Sequence, residues 1–468
     1  MSDPATLSLT ELAAALRARK FSSVELTQAT LKRIDALNPK LNAFVSVEPD
    51  NALKFAKEAD ARLARKENVG PLHGVPLAHK DMYYTKGMVA GCGSKIRKDW
   101  VAPTTSTAIA RLEAAGTFRI GALHMAEFAY GPTGHNEHLG PARNPFDVTR
   151  ITGGSSSGSG SAVGGRLVSA ALGSDTGGSI RLPAHFCGIT GMKPSYGRVS
   201  RANAMPLSHT LDSVGPLAQT ADDCALIMEA IMGPDPLDPV TDGALPWDRN
   251  KAARAILGLK IGVPSSFYVD DLEADVAAAL DATIKACEKL GASVTRVSLP
   301  DQMIVSAAAL IVLAVEAASV HIVNLRTRPQ DFGAQVRSRL ENGLAYSAIE
   351  YLEALRWRGP ALAAHLDAIG ELDVIIAPVS RAAAPTIAET DVGGGPGAES
   401  AIQAITRFMR SINYLGLSAL VVPSGHTRSG LPIGMQLIGR PFGDETVVAL
   451  GRAFQAATDH HSRLPALS

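Results

Sequence analysis

Residues 152–181 read TGGSSSGSGSAVGGRLVSAALGSDTGGSIR. Two clusters of glycine and serine, Gly153 to Ser161 and Thr176 to Ser179, flank small and apolar residues that end in Ala170-Ala171-Leu172-Gly173. Glycine lets the backbone take positive φ and lets a ligand approach it closely. Serine brings a hydroxyl for nucleophilic attack or proton relay. A flexible linker would not carry an apolar run such as Val168 to Leu172. The stretch therefore reads as two backbone-rich loops on either side of one core element, the setting of an active site made mostly of main chain.

A partner lies upstream. Gly74-Val75-Pro76-Leu77-Ala78 is a short apolar run bounded by Gly and Pro, and reads as a buried strand. His79-Lys80-Asp81 follows it. A lysine at the end of such a strand enters the protein rather than the solvent. Desolvated, it loses affinity for its proton and can act as a general base.

Those motifs carry a specific resemblance. GVPLAHKD, GGSSSGS and GSDTGGSIRLPAHFCGITGMKPSYGRVS resemble the motifs of the amidase signature family of serine hydrolases, at the family's spacing. The likeness covers nearly the whole chain, is strongest from about residue 70 to 230, and returns between Asn413 and Phe442 in GLPIGMQLIGRPF. It implies Ser179 as nucleophile, Ser155 as a bridging serine on a cis peptide, and Lys80 as base. No histidine sits in the Gly/Ser core to activate a serine, so a neutral Lys80 acting through the Ser155 hydroxyl fills that need. The oxyanion is expected on backbone N–H groups of Thr176, Gly177, Gly178 and Ser179, where glycine leaves the carbonyl oxygen room. Ser156, Asp175 and Arg181 match family positions and are expected to hold the loops. Ala129 and Tyr130 fall where the family places residues near the substrate carbonyl, and His209 is a further candidate for the pocket. The chain departs from the family at Thr152, where proline is usual, and in the run around His209 and Thr210.

Other readings of the same residues are weaker. Gly154 to Gly158 formally matches GxSxG, which would make Ser156 the nucleophile with Asp373 and His426 as partners. That motif should follow a strand, and Asn144-Pro145-Phe146-Asp147 looks like a turn. A phosphate loop fails for want of its lysine. His135 and His138 are two histidines three apart with no evident third ligand, so no metal and no cofactor is expected. Glu127 reads as structural and Cys187 as a packed thiol. The arginines between Arg326 and Arg339 read as a solvated helix face, and Tyr346, Tyr351 and Trp357 as core aromatics.

Composition sets the outer bounds. Of 468 residues, 46% are hydrophobic and 19% charged, so a large core is feasible and global disorder is excluded. A formal net charge of +0 without a basic run argues against nucleic acid. Four dispersed cysteines, with no CxxC, read as reduced thiols of a cytoplasmic protein. There is no signal-peptide profile and no unbroken apolar run of about 18 residues; Ala307 to Ala318, the longest, is interrupted by Glu316, and no membrane span is expected.

Along the chain, Ser8-x-x-Glu11 and Ser22-x-x-Glu25 are capping boxes, the second helix is expected to stop at Asn38-Pro39, and a third runs from Pro49 to Arg65. Helix and strand patterns then alternate through residues 70–130 and again from 259 to 297, which indicates α/β architecture. Residues 233–258 read as a surface connection. Asp373 to Pro378, Ser418 to Pro423 and Gly434 to Ile438 read as strands, Gly393 to Gly397 as a flexible loop, and Asp444 to Ala457 as the last helix. The expected fold is α/β, a single amidase domain over residues 1–468. It has N-terminal helices (1–65), a signature core with the catalytic residues (66–240) and a C-terminal part (241–468), in which 300–400 partly covers the site. The resemblance supplies a large mixed sheet flanked by helices on both faces and a homodimer.

The expected function is hydrolysis of the C–N bond of a small-molecule amide, and of carbamate, urea-type or ester bonds by the same chemistry, through an acyl-enzyme on Ser179. The chain is also similar, at EFAYG, NPFD and GSDTGGSIR, to the amidase-type subunit of the glutamyl-tRNA amidotransferase. In that role it would belong to an assembly that feeds ammonia to a charged tRNA. Residues 300–400 do not display that subunit's glutamine-binding pattern, which places the stand-alone enzyme first.

Overall fold

A computed structural model of the chain describes residues 4–467 apart from 392, 394 and 396. Its strands, in chain order, are β1 (Phe44–Val47), β2 (Pro76–Lys80), β3 (Phe118–Leu123), β4 (Ala170–Asp175), β5 (Thr190–Lys193), β6 (Ser213–Ala218), β7 (Lys260–Pro264), β8 (Ser293–Val297), β9 (Val374–Pro378), β10 (Ala419–His426) and β11 (Pro432–Gly439). Eight form one mixed sheet in the order β4-β6-β5-β10-β11-β9-β7-β8. Its pairs are antiparallel from β4 to β9 and parallel across β9-β7-β8. The other three form a small sheet, β1-β3-β2.

Helices cover both faces of the large sheet. The short helix Arg181–Phe186 packs on the side of Val421 and Gly434, and Asp444–Ala456 packs on the opposite side, against Leu420 and Val422. The alternation of neighbouring β10 residues between faces accounts for this. The central strands are buried on both faces, and their sequences, such as Ala-Leu-Val-Val at 419–422, are correspondingly apolar without a break. One apolar cluster runs from Leu9 near the N-terminus to Phe454 in the last helix.

The seam between the two sheets carries the site. β2 and β4 lie side by side without a backbone ladder, and side chains join them instead. His79 Nδ1 accepts from the Leu172 N–H at 3.1 Å, and the Tyr83 hydroxyl donates to the Gly173 carbonyl at 2.6 Å. Burial pushes His79 down to about 3, which keeps its ring neutral and able to accept.

Several local expectations are corrected. The second helix, Ser23–Leu41, runs through Pro39, which sits in its last turn. It ends instead at Asn42, in the left-handed region at φ 48°, while Asn38 Oδ1 accepts from the N–H groups of Ala43 and Phe44. The N-terminal stretch is not wholly helical, because β1 interrupts it. β6 has no counterpart among the expected strands, since its Gly215-Pro216 looks like a turn. Its ladder with β5 covers only Leu217 and Ala218, so Pro216 falls outside it. Both capping boxes form as expected. The loop expected over Gly393 to Gly397 lies partly outside the described residues.

The membrane expectation also needs restating. Helix Gln302–Thr327 is, among the described residues, one helix long and apolar enough to cross a bilayer. A search for unbroken runs misses it because Glu316 and His321 interrupt the pattern without lowering its average. Its buried stripe, Leu313, Glu316, Ala317 and His321, packs against protein. Glu316 in particular accepts from Thr210 N–H at 3.0 Å, Thr210 Oγ1 at 2.9 Å and Tyr351 OH at 2.9 Å, and also from the Ser208 hydroxyl.

Candidate active site

Lys80 is the last residue of β2 and 1% exposed. Its Nζ donates to Ser155 Oγ at 2.7 Å and to Ser174 Oγ at 2.8 Å. Burial is the main influence on its proton affinity and pushes it down to about 7, against the pull of Asp212, Asp175 and Cys92. The neutral form of Lys80, with a lone pair beside a serine hydroxyl, is therefore far more accessible than that of an exposed lysine.

Ser155 follows a cis peptide, Gly154–Ser155. It is fully buried, and its carbonyl accepts from Ala126 N–H at 3.1 Å. Gly154 N–H donates to the Pro132 carbonyl at 2.7 Å, so the 126–132 loop clasps this turn from outside. The next residue ties the two Gly/Ser clusters together: Ser156 N–H donates to the Ser179 carbonyl at 3.3 Å. Ser179 and Gly177 are partly exposed, whereas Lys80 and Ser155 are buried. Ser179 is thus the most open of the three candidates.

Asp175 shapes the Ser179 turn. Its carboxylate accepts from the N–H groups of Gly178 at 2.8 Å and Ile180 at 3.2 Å, and from Arg181 Nε and Asn413 Nδ2 at 3.0 and 2.9 Å. Burial opposes its charge, but Arg181, Lys193 and Asn413 outweigh that and hold the carboxyl well below the usual range. Arg181, itself fully buried, also donates to Gln436, the Met409 carbonyl and Asn413. These bonds bear on the expected oxyanion donors. The Gly178 N–H is already bonded to Asp175, while the amides of Thr176, Gly177 and Ser179 have no acceptor among the described residues. Gly178 is glycine for another reason: its φ is +116°, and Met409 occupies the space a side chain would need.

Thr176 Oγ1 donates to Asp212 Oδ1 at 2.5 Å, and Asp212 Oδ2 accepts from the Leu207 and Ser208 N–H groups at 2.9 and 3.1 Å. Ala129 takes a left-handed conformation, at φ 62°, directly after Phe128 at φ 49°. Tyr130 is buried under Arg339, whose guanidinium lies 3.8 Å from the ring centre and donates to the Tyr130 carbonyl at 2.9 Å. Arg339 is therefore not part of a solvated face, as its neighbours suggested, because this stacking withdraws it. His209, the further pocket candidate, sits on the run that follows the Leu207 and Ser208 N–H groups bonded to Asp212. It is exposed and lines a cavity of about 200 Å³ together with Ser174 and Asp212.

The competing readings fail on geometry. The Ser156 hydroxyl is held between the N–H and C=O of Ser174, both at 3.3 Å, so it serves β4 as a clasp. Asp373 accepts from Lys260 N–H, and His426 packs on Phe146 and His460. His138 pairs with Glu127 at 3.0 Å and His135 with Thr390 at 2.9 Å. Glu127 also accepts from Ser94 and from Gly333 N–H, which ties three segments of loop.

Sequence reading missed Ser174, Tyr83 and Lys193. Following β4 through to Asp175 would have put Ser174 on the face opposite Gly173 and Asp175. Lys193, at the end of β5, is a second fully buried lysine; burial pushes it down to about 7 and its Nζ donates to the Pro194 carbonyl at 2.7 Å.

Known proteins share this arrangement of chain. The amidase family profile matches residues 25–448. The A subunit of the glutamyl-tRNA(Gln) amidotransferase of Geobacter metallireducens is 38% identical over 98% of this chain and 98% of its own. Among solved structures, one reported with a vestigial protein complex and the evolutionary origins of an s-triazine catabolic enzyme is 34% identical. It superposes with a TM-score of 0.90 over 96% of this chain and 98% of its own. A crystal structure of an amidase is 31% identical, with a TM-score of 0.86 over 96% of this chain and 99% of its own.

Proposed function

This chain belongs to the amidase family, and on that premise we propose that it cleaves an amide C–N bond through an acyl-enzyme on Ser179, with Lys80 as base and Ser155 as relay. The observation that carries the reading is the buried Lys80 Nζ at 2.7 Å from Ser155 Oγ, next in sequence to Ser156, whose N–H holds the carbonyl of the partly exposed Ser179.

In the first step Ser179 Oγ attacks the amide carbon, its proton passes to Ser155 Oγ, and the Ser155 proton passes to the Lys80 lone pair. The N–H groups of Thr176, Gly177 and Ser179 stabilise the negative oxygen of the tetrahedral intermediate; one such donor is worth roughly 3–4 kcal/mol in hydrolases. The proton then returns along the same path to the departing nitrogen. Water then attacks the Ser179 ester, giving its proton to the same relay, and the proton returns to Ser179 Oγ as the C–O bond breaks and the acid is released. Thr176, Asp175 and Arg181 keep the turn in place, and Ala129 leaves space beside the carbonyl. The whole chain acts as one unit, in the cytoplasm.

Two fates for the released nitrogen fit this chemistry. A component of an amidotransferase assembly would pass it to a second protein and a charged tRNA, and the full-length likeness to the Geobacter amidotransferase protein, at 38% identity, favours that reading. A stand-alone hydrolase of small amides would release it to solvent. The likeness to a solved amidase over 96% of the chain supports this second reading. The deciding experiment incubates purified protein with anilides, primary amides, carbamates, esters and glutamine, alone and after isolation from its host with any copurifying proteins. Turnover by the isolated chain, lost in Ser179→Ala, establishes the stand-alone enzyme. Glutaminase activity that appears only with copurified partners establishes the assembly. A folded chain whose Ser179→Ala variant turns over substrate as fast as the native protein would remove the mechanism altogether.

A further inference from the structure

Lys80 has two hydroxyl partners, and the proposed reaction uses one. The other, Ser174 Oγ at 2.8 Å, belongs to β4. Ser174 lines a cavity of about 200 Å³ with Asp212, Ser213, His209, Arg201 and Ala204. At about 30 Å³ per molecule that is room for several waters, and the lining offers the polar partners water needs. The outer wall is fixed: Arg201 forms a two-point pair with Asp238, at 2.7 and 2.9 Å, and also donates to the His209 carbonyl. Asp212 is equally pinned, by Thr176 and by two backbone N–H groups.

We infer that Ser174 is a positioning residue for Lys80 and that the cavity it lines is a second, solvent-facing approach to that base, independent of the substrate side. The inference rests on Lys80 being the base. A lysine that is 1% exposed needs a route by which its proton equilibrates with bulk water. On the Ser155 side that route runs through the space that the acyl group and its attacking water must share. A hydroxyl that accepts from Lys80 in a residue lining a cavity with room for water can donate onward to it: Nζ gives its proton to Ser174 Oγ as Ser174 gives its own to water. No atom is gained or lost at the serine. The cavity's water also solvates Lys80 at one remove and thereby sets how strongly burial disfavours its charge. The other ionisable groups around Lys80 are His79 on its own strand, Asp81 directly after it, Tyr83, Cys92, and the carboxylates Asp175 and Asp212.

The test needs no knowledge of the substrate. A fluorophosphonate probe phosphonylates an activated serine, and its rate of labelling is followed from pH 5 to 9. Ser179→Ala and Lys80→Ala are the controls for the underlying reading: labelling must vanish in the first and collapse in the second, or that reading fails by itself. Ser174→Ala removes an acceptor from the ammonium, which favours the neutral amine. It is expected to slow labelling at least tenfold and to move the acid limb to lower pH. Ser174→Thr, which keeps the hydroxyl, is expected to restore both. Ala204→Leu fills the cavity without touching Lys80 and is expected to move the acid limb in the same direction with an unchanged melting temperature. A folded Ala204→Leu or Ser174→Ala with the native rate and the native limb, while Lys80→Ala remains silent, would overturn the proposal. Should Ser174→Ala not fold, Ser174→Thr and Ala204→Leu decide it alone.

Discussion

At the residue scale, the proposed chemistry rests on Lys80, a residue type that is a poor base when exposed to water. Removing it is expected to lower turnover by about 10²–10⁴, the range general acid–base groups supply, with the fold intact by circular dichroism. Ser179→Ala is expected to abolish turnover. Ser155→Ala should cost less than Ser179→Ala, because water can stand in for a relay hydroxyl but not for a nucleophile; equal losses in the two variants would argue against a relay. Since Lys80 is held at about 7, kcat/KM should fall about tenfold per unit below that pH as the amine takes up its proton. A profile flat from pH 5 to 8 would show that Lys80 does not titrate in the reaction.

At the scale of elements, the two loops work because other segments fix them. Asp175 and Arg181 are both fully buried, so deleting one partner strands a charge away from water. Arg181→Met is expected to destabilise the protein by about 3–5 kcal/mol in urea unfolding, far more than removal of an exposed pair such as Arg62–Glu67. Glu316 does comparable work from the long apolar helix, holding Ser208, Thr210 and Tyr351 at once. Glu316→Ala should cost about 1–3 kcal/mol per buried donor left unpaired, and should speed amide hydrogen exchange over residues 207–212. Unchanged exchange there would mean that the loop is held by Asp212 alone.

At the scale of the molecule, buried ionisable groups give stability a defined dependence on pH. His79 is held at about 3, and His124, His185, His321, His365 and His426 at about 4, chiefly by burial. Each is neutral in the fold and takes up a proton near 6.5 when unfolded, so its contribution is complete above about 6.5 and is lost as pH falls toward 4. Lys80 and Lys193, at about 7 against an ordinary 10.5, act in the same sense higher up: the unfolded chain binds more protons, and stability rises with pH from about 7. Cys92 and Cys287, pushed up to about 12, reverse that slope once thiols ionise near 9 in the unfolded chain. Urea midpoints measured from pH 4 to 10 should therefore climb to a maximum near about 8–9. A maximum near about pH 5 would contradict the burial of these groups.

What the sequence determined by itself was local and chemical. The capping boxes at Ser8 and Ser22, the strand ending in Lys80, the apolar runs of β7, β9, β10 and β11 and the two Gly/Ser loops are all written in periodicity and residue type, because each depends on neighbours within a few positions. The resemblance added the large mixed sheet and named Lys80, Ser155 and Ser179 together. Tertiary structure decided what depends on distant neighbours. It carried the second helix past Pro39, made a strand of Ser213–Ala218 despite Gly215-Pro216, and spent the Gly178 N–H on Asp175. It also drew Arg339 onto Tyr130 and gave Lys80 a second serine across a seam that no backbone ladder closes. The physical reason is the same in each case. A hydrogen bond or a buried charge is settled by which groups the packed chain brings within about 3 Å, and no pattern along the chain records that distance.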